Sequence, residues 1–514
     1  MESFIVFIRL MKLAAIIVCW ISVIAAGAWL RFDDLARRPF HADEATGARI
    51  TAQRMVSGDA KFDPKHFHGP LLADLAIPLC ALRGEHGWRE MSKTTLRTLP
   101  AIAGTLLVLL PLLWRRRFGD LPMLLAAALL ATSPLLAYYS RMFIHEMLLT
   151  LFGMLALVCL TGKPRLVTAG IMLGLMFATK ETFAISVIAW TGAGLLVAME
   201  NRRSLNRETL LRAWCAHRLA AGIGLLAAAV TAGLIYTDGL RHPHSAIDAI
   251  RTFFVYETVG THDKAFGYYA GLLAIPVKSA GVWWFGTPVL VLALLVYLST
   301  FRRDFLNREC RIMIHFLAYA AAGHFLIYSM IAYKTPWLVC LPWAHVCVLA
   351  GFAIAGFSTC RMPARVILTI LAGLCLVTQF IQTRRAIGRY AADARNPFAY
   401  VPTQRDVESL ESWLGKLRAM EPAGALEPVA IVGSQYWPLP WYLRAFDKIG
   451  YWQTPPENLQ AMPLVFATPD ATESVMAALT STHQSLPRGL RADVPLLVFV
   501  RNDIWHRWQA TPSP

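Results

Sequence analysis

Acidic and basic side chains follow shortly after the first long apolar run of the chain, and they include His41, Asp43 and Glu44. We expect Asp43 and Glu44 to lie in a loop that returns to the membrane. A carboxylate at a boundary between lipid and water can act as a general base where partial burial raises its basicity. The plainer alternative is that the two acids cap a helix at the interface or pair with Arg37 and Arg38. The residues alone leave both interpretations open.

A second group of ionisable residues begins the fourth apolar run. Arg141, His145 and Glu146 have i, i+4, i+5 spacing, which predicts that Arg141 and His145 lie on one face of a helix. Two such side chains could hold a phosphate. The alternative is that they are interfacial residues whose polar ends reach out to water.

Two further pairs lie beside apolar runs. Lys180 and Glu181 end the fifth run, and ions at membrane depth are functional candidates by default, although this pair could be purely structural. Tyr333 and Lys334 join two later runs, with Pro336 at the start of the next helix. This spacing predicts that the Lys334 ammonium lies at the depth of lipid phosphates, and ordinary snorkelling is the alternative.

Histidines are frequent in the segments predicted to lie outside the membrane. Pro, Gly and His residues interrupt regular structure over 63–70 and predict a shaped loop that contains His68. A divalent cation is one use for such residues, with Asp43, His145 and Glu146 as candidate ligands. No HExxH helix motif supports a metal, so solvated loop histidines are the favoured explanation and the cofactor stays open.

Composition indicates a polytopic membrane protein. Apolar residues make up 56% of the 514 residues, charged residues only 16%, and the mean hydropathy is +0.46. The net charge of +16 does not indicate nucleic-acid binding, because residues 383–514 carry 13 Lys and Arg against 12 Asp and Glu. The surplus lies between the apolar runs, where the positive-inside rule explains it.

The hydropathy pattern predicts about eleven membrane spans. They lie near 11–30, 98–114, 121–139, 146–162, 165–179, 183–199, 219–237, 283–300, 312–332, 337–357 and 365–381. The positive-inside rule places the loops with Arg115, Arg116 and Arg117 in the cytoplasm together with the N-terminus, and the segment 31–97 outside.

The last part of the chain, residues 383–514, differs in character from the first 382. Short β-rich runs at Val429–Val432, Leu464–Ala467 and Leu496–Val500 alternate with helical patterns over 403–420 and 470–480. This alternation predicts a small α/β domain outside the membrane, following a transmembrane domain over 1–382. The nine cysteines form no CxxC pair, and none lies in this last segment, so neither disulfides nor a cysteine-zinc site is expected.

Six short motifs occur in an order that resembles a known group of proteins. They are the acidic pair at 43–44, HGPLL at 68–72, YYSR at 138–141 followed by Glu146, KETF at 180–183, YKTPW at 333–337 and WPLPWYLR at 437–444. Together they resemble the flippase-activity-associated, glycosyltransferase-like membrane proteins of bacteria and archaea. More distantly, the first half resembles the protein O-mannosyltransferase and lipid A aminoarabinose transferase superfamily, which has the GT-C fold.

The resemblance implies a multi-pass enzyme of a bacterial inner membrane. It would transfer a hexose or pentose from a polyprenyl-phosphate carrier to an unidentified protein, lipid or glycan acceptor on the periplasmic face, with inversion. The roles that follow are Asp43 as general base and Glu44 and Glu146 as groups that orient the acceptor or a metal. Candidates for contact with the donor phosphate are Arg141, His145, Lys180 and Lys334, and further substrate contacts are expected from His41, His68, Glu181 and Tyr333. The alternatives are a flippase or transport component and a non-catalytic scaffold of envelope glycan assembly. Polar residues gathered at one face favour catalysis over transport.

Overall fold

The protein is mainly helical, with a short hairpin and a C-terminal sheet. The computed structural model describes residues 2–58, 61–202, 207–255, 263–279, 281–301, 306–355 and 362–510. The helices of the first half are α1 (Glu2–Phe32), α2 (Ala42–Ser57), α3 (Leu71–Leu82), α4 (Lys93–Leu109), α5 (Arg115–Phe118), α6 (Asp120–Thr132), α7 (Pro134–Tyr139), α8 (Glu146–Leu160), α9 (Leu166–Thr179), α10 (Phe183–Glu200) and α11 (Arg207–Tyr236). They are followed by α12 (Ser245–Val255), α13 (Tyr268–Leu273), the antiparallel strands β1 (Val277–Ser279) and β2 (Val282–Trp284), α14 (Thr287–Ser299), α15 (Arg308–Met330), α16 (Cys340–Gly351) and α17 (Met362–Ile387).

Seven helical segments in the described part of the chain are long and apolar enough to cross a membrane. They are Leu10–Phe32, Lys93–Phe118, Phe183–Glu200, Trp214–Tyr236, Arg308–Met330, Pro336–Ile354 and Met362–Ile387. The span Pro336–Ile354 is 94% buried, whereas three others are 17% buried. The first therefore lies at the centre of the bundle, while the three expose most of their apolar surface, as lipid-facing helices do. The chain is a multi-pass membrane protein.

The other four predicted spans correspond to α6, α8, α9 and α14, which have 13 to 15 residues. A helix of that length covers only about 20 Å at 1.5 Å per residue, less than the ~30 Å hydrocarbon layer. The predicted span 121–139 is broken at Ser133, because Pro134 starts α7 and excludes the preceding residue from helical geometry. The buried Ser133 hydroxyl accepts a hydrogen bond from the Trp343 indole at 3.0 Å.

The segment between the first two spans contains two helices that hydropathy did not predict. Asp43 and Glu44 lie in the first turn of α2, so the expectation that they lie in a loop was wrong. A capping box stabilises the first turn of this helix. The His41 ring accepts a hydrogen bond from the Asp43 backbone N–H, and the Glu44 carboxylate accepts one from the His41 backbone N–H. The segment 61–70 has no helix, as predicted, and the apolar helix α3 begins directly after Pro70.

The C-terminal part forms a five-stranded mixed sheet with helices. Its elements are α18 (Asp406–Met420), β3 (Val429–Val432), α19 (Leu439–Tyr442), β4 (Ile449–Trp452), β5 (Leu464–Ala467), α20 (Thr472–Leu479), β6 (His483–Arg491), β7 (Val494–Arg501) and α21 (Asn502–Ala510). The strand order is β4-β3-β5-β7-β6, with β4, β3 and β5 parallel and a β6–β7 hairpin at one edge. The small α/β unit that the sequence predicts is therefore present.

The C-terminal unit packs on the segment that leads into α2. The backbone N–H of Phe40 donates to the Tyr442 hydroxyl at 2.8 Å, and the Thr403 hydroxyl donates to the Phe40 carbonyl at 2.8 Å. The rings of Phe40 and Trp441 lie 4.1 Å apart between centroids. Trp441 and Tyr442 are therefore packing residues, and these contacts fix the entrance of α2 from outside the bundle.

Candidate functional site

The first turn of α2 is fixed by Glu44, whose side chain is completely buried. Arg97 donates to both of its carboxylate oxygens at 2.7 Å, and Arg38 donates at 3.4 Å. The backbone N–H groups of Phe143 and His41 add two bonds of 2.9 and 3.0 Å. Five donor groups from four residues leave neither carboxylate oxygen available to another group.

This network also determines the charge of Glu44. Burial alone disfavours the carboxylate, but Arg97 and Arg38 outweigh it and lower the pKa of Glu44 to about 2. A permanently ionised group with every lone pair engaged is a poor general base. The geometry therefore does not fit the predicted contact of Glu44 with an acceptor or a metal, and it makes Glu44 a positioning residue for the turn that carries Asp43.

Asp43 points away from this network. Its side chain is 52% exposed, and its nearest basic group is the His41 ring, with 3.8 Å between Oδ2 and Nδ1. Asp43 also raises the pKa of Tyr400, after the larger effect of burial, so the two side chains are close. The carboxylate is thus free to meet a ligand that arrives from outside.

Asp43 stands at the rim of a cavity, since its neighbours His41 and Tyr400 belong to the cavity wall. The space between its walls, part of which is open to solvent, is about 260 Å³. The wall consists of Arg38, Pro39, His41, Tyr138, Tyr139, Met142, Trp337, Ala392, Phe398, Tyr400, Pro402 and Thr403. The segment before α2, the end of α7, the segment before α16 and residues 392–403 therefore enclose the cavity together.

His41 is a neutral member of this wall. Its Nδ1 accepts the Asp43 backbone N–H at 3.2 Å, so Nε2 carries the proton and donates to the Tyr400 carbonyl at 3.1 Å. Burial lowers the pKa of His41. Both ring nitrogens are therefore engaged within the protein, and the predicted contact of His41 with substrate stays a prediction.

Four arginine side chains are buried in the part of the fold that contains Glu44 and Arg38. Arg31, Arg38, Arg97 and Arg141 are all buried, and within the described ranges Glu44 is the only buried carboxylate that pairs with any of them. Arg38 lines the cavity, with its guanidinium 4.7 Å from the centre of the Tyr138 ring. Burial of cations in excess of carboxylates favours an anion at this place.

Arg141 adds positive charge to this group of arginines, but its guanidinium is already hydrogen-bonded to backbone carbonyls. It lies in a bend before α8, so the prediction that it shares a helix face with His145 was wrong. Its guanidinium donates to the carbonyls of Leu30, Arg31 and Asp34 at 3.3, 3.2 and 2.8 Å. Burial, followed by the charges of Arg38 and Arg97, lowers the pKa of Arg141 to about 10.

Five predicted site residues form a second cluster. Lys180 donates to Glu146 Oε1 at 2.6 Å, and His68 Nδ1 lies 3.0 Å from Glu181 Oε2. The rings of His68 and His145 meet edge to face, 5.1 Å apart. Burial and then the charges of His68 and Lys180 lower the pKa of His145, whereas His68 and Lys180 lower the pKa of Glu181 to about 2 against the effect of burial. The structure brings these five residues together, and their predicted roles in substrate binding stay predictions.

The second cluster borders a smaller cavity of about 190 Å³. Glu146 lines it, and Trp337 lines both this cavity and the first. The two cavities therefore share a wall at Trp337.

Tyr333 and Lys334 lie in the connection between α15 and α16. Tyr333 is near enough to contribute to the electrostatic environment of Lys180. The buried Lys334 ammonium donates to the backbone carbonyls of Lys264 at 2.9 Å and of Ile331. The predicted contact of Lys334 with a donor phosphate does not fit an ammonium held in this way, and its role is to tie two loops together.

The Lys334→Met variant tests that assignment. Because two backbone carbonyls lose a charged donor, we expect a destabilisation of about 1–3 kcal/mol, measured as a lower unfolding temperature. We expect the Kd for a polyprenyl phosphate to stay within twofold of wild type. A tenfold weaker Kd in a variant of normal stability would contradict the structural role.

Metal ligands do not converge in the described part of the chain. No group of three or more His, Cys, Asp or Glu residues there is arranged to hold a metal ion. Of the three candidate ligands, Glu146 already pairs with Lys180. Asp43 lies beside the ring of His41, which is not one of the three candidates. The residues present do not fit a resident metal centre, and a cation requirement stays a prediction.

Several residues that shape the site were not among the predicted site residues, although Arg38 was named as a possible partner of the acidic pair. Arg38 and Arg97 sit beside Glu44, and Tyr400, Thr403 and Trp337 line the cavity. Arg97 had a readable signal, since an arginine within an apolar helix is a functional candidate by default. Tyr400 and Thr403 had none, because they reach the site through long-range packing.

Comparison with known proteins supports the architecture. Residues 89–230, less than half of the chain, match the family described as dolichyl-phosphate-mannose-protein mannosyltransferase. No curated protein sequence matches the chain. The narrower flippase-activity-associated group that the motifs resemble stays a prediction.

Solved structures match over nearly the full length. ArnT from Cupriavidus metallidurans bound to undecaprenyl phosphate has a TM-score of 0.60 and 13% identity, covering 94% of this chain and 97% of ArnT. Its apo state has a TM-score of 0.62 at 15% identity over 95% and 98%. AglB, an archaeal oligosaccharyltransferase from Archaeoglobus fulgidus in complex with an inhibitory peptide and a dolichol-phosphate, has a TM-score of 0.54 at 13% identity over 93% and 73%. The chain therefore has the GT-C fold that these solved structures share.

Proposed function

We propose that the chain is a membrane glycosyltransferase that takes a sugar from a polyprenyl-phosphate carrier and transfers it to an acceptor hydroxyl. The observation that carries the proposal is the joint placement of Asp43 at the rim of the first cavity and of Arg38 in its wall, with further buried arginines close to Arg38. An exposed carboxylate and an excess of cations are the two groups that this reaction needs.

The arginines suit the leaving group. When the bond between the anomeric carbon and the phosphate oxygen breaks, the phosphate keeps the electron pair and gains negative charge. Its low basicity means that it needs cations rather than a proton donor. Arg38 is the guanidinium in the cavity wall, and Arg97 and Arg141 add positive charge behind it. We therefore assign the phosphate contact to Arg38.

Asp43 suits the opposite side of the reacting carbon. The acceptor oxygen forms the new bond to the anomeric carbon, and its proton passes to the Asp43 carboxylate. A single displacement of this kind inverts the configuration at the anomeric carbon. The position of Asp43 in the first turn of α2, fixed through Glu44, provides the orientation that such a base requires.

Ligands of the similar structures agree with the donor class. The ArnT structure is bound to undecaprenyl phosphate, and the AglB structure contains a dolichol-phosphate. Both are long isoprenoid phosphates. We extend this class of carrier to the present chain, while the sugar and the acceptor are left to experiment.

The proposed orientation puts the site on the outer face of a bacterial inner membrane. Arg115, Arg116 and Arg117 precede α6 at the end of the bundle that we assign to the cytoplasm, together with the N-terminus. The C-terminal unit, which packs against the α2 entrance, then lies in the periplasm.

Purified protein incubated with polyprenyl-phosphate sugars and an extract of envelope glycans tests the proposal. We expect release of the free polyprenyl phosphate together with labelled acceptor, measured by chromatography of the lipid fraction. A flippase would move intact donor across a vesicle bilayer without releasing lipid phosphate, and a scaffold would do neither. Either result would contradict the proposed reaction.

Chelation addresses the open question of a divalent cation. Because the candidate ligands do not converge and the arginines already provide positive charge, we expect transfer in excess EDTA to retain at least half of its rate. The assay is release of lipid phosphate before and after chelation, with added Mg²⁺ or Mn²⁺ as the reversal. A tenfold loss that either ion restores would show that a metal is required.

A further inference from the structure

A surface outside the cavity carries two arginines that the proposed reaction does not use. Arg49 lies on α2, one and a half turns beyond Asp43, and Arg491 lies at the end of β6 in the C-terminal unit. Arg49 is exposed, and Arg491 is partly exposed. Over the described residues, neither guanidinium has a carboxylate within ion-pair distance. Two arginines without a carboxylate partner therefore lie on α2 and on the C-terminal unit.

Arg491 is held in place but is only partly satisfied. Its Nη2 donates to the Gln435 carbonyl at 3.1 Å, and its own carbonyl accepts from the Gln404 side chain at 3.0 Å. Its Nε is buried and has no hydrogen-bond partner. Asp43 is close enough to act electrostatically on the guanidinium. A buried donor without a partner is costly, and an acceptor atom of a ligand would relieve that cost.

Aromatic rings lie between the two arginines. The Tyr436 and Tyr451 rings are 5.0 Å apart, and Tyr451 is 40% exposed. Arg49 lies near the Tyr451 hydroxyl, where its charge partly offsets the effect of burial on the pKa of Tyr451. Partly exposed tyrosines offer an apolar ring face and a hydroxyl side by side, which suits the alternating apolar and polar faces of a sugar. We call Arg49, Tyr436, Tyr451 and Arg491 the basic aromatic surface.

We propose that the basic aromatic surface binds the acceptor, and that the acceptor is a glycan carrying an anionic group such as phosphate or carboxylate. This inference rests on the proposed transferase function, because it needs Asp43 as the point of reaction. The tyrosines hold sugar rings, and the two guanidinium groups hold the anion through charge-assisted bonds. An uncharged peptide acceptor would leave both arginines without a partner.

Arg491 has a second effect in this arrangement. An anionic acceptor that approaches the Asp43 carboxylate meets like-charge repulsion, which is strong where water is partly excluded. Arg491 lies near Asp43 and offsets that repulsion. The acceptor can therefore bring its hydroxyl to Asp43 while its anionic group stays on the arginines.

Binding of matched oligosaccharides to the full-length protein in nanodiscs tests the inference without any donor present. The probes share one sugar sequence and are neutral, phosphorylated or carboxylated. We expect at least one charged probe to bind with a Kd at least tenfold lower than that of the neutral probe at 0.15 M salt. The Arg49→Gln and Arg491→Gln double variant should lose this preference. The Lys416→Gln variant, which removes an exposed charge from α18 in the same unit, should keep it.

Equal affinity for neutral and charged probes would overturn the inference, as would a preference that survives in the double variant. If the double variant is unstable, the Arg49→Gln variant alone should weaken binding of the charged probe at least threefold, because this exposed residue has no packing role. Release of lipid phosphate without any charge preference in glycan binding would contradict this inference alone. Charge-dependent binding by a protein that never releases lipid phosphate would contradict the proposed transferase alone.

Discussion

The Asp43→Asn variant should lose about 10²–10⁴-fold in transfer rate, the range expected when a general base is removed. Asparagine keeps the size of the side chain and its ability to sit in the first turn of α2, but it cannot accept the acceptor proton. Since the Asp43 side chain is 52% exposed and the capping bond comes from its backbone N–H, we expect little change in stability. The measurement is release of lipid phosphate at saturating donor, together with the unfolding temperature.

Two further variants separate a base from a general effect of charge. Asp493→Asn removes an exposed carboxylate in the turn between β6 and β7, and we expect it to retain full activity. Asp43→Glu keeps the charge but displaces the carboxylate by one methylene, so we expect at least a tenfold loss. Full transfer by Asp43→Asn at normal expression would show that another group takes the proton.

The contrast between Asp43 and Glu44 shows where sequence reasoning ends. The two acids are adjacent and were predicted to act at one site, yet one is exposed and the other completely buried. Side chains at successive helix positions point about 100° apart, and only their contacts with the rest of the fold decide which side of the helix is buried. The partner of Glu44 is Arg97, 53 positions away, and no local pattern connects them.

Features that depend on local sequence were predicted well. All eleven spans correspond to helices, and the strands β3 and β5 have the bounds that their β-branched runs indicated. The break at Ser133 also had a local signal in Pro134, which the hydropathy pattern concealed. Periodicity and composition act over a few residues, and these elements need no more than that.

Residues chosen for their depth in the membrane were harder to assign. Arg141 and Lys334 are both buried, and both donate to backbone carbonyls. Those carbonyls belong to distant segments, at Asp34 and Lys264. A cation in an apolar setting satisfies whichever acceptor the fold brings near, and the sequence does not reveal whether that acceptor is backbone or ligand.

The Arg97→Met variant should destabilise the protein by about 3–5 kcal/mol, the range for removing one partner of a buried ion pair. Arg97 is completely buried, and it donates to both oxygens of Glu44 as well as to the carbonyls of Leu35, Arg38 and Pro39. Methionine fills similar space but leaves the Glu44 carboxylate buried and opposed only by Arg38. The measurement is the free energy of unfolding in detergent, with Arg251→Met as a control. That variant breaks an exposed pair with Asp248, for which we expect at most about 1 kcal/mol.

A double variant separates the cost of an orphaned charge from the loss of packing. In Arg97→Met with Glu44→Met the buried charge is gone, so more than half of the lost stability should return. Transfer should remain at least tenfold below wild type, because the hydrogen bond that the His41 N–H donates to Glu44 is still missing. That bond orients the turn that carries Asp43. If the double variant were as unstable as Arg97→Met alone, the carbonyls of 35–39 rather than Glu44 would be the essential partners of Arg97. If it regained full transfer, the orientation of Asp43 would not depend on Glu44.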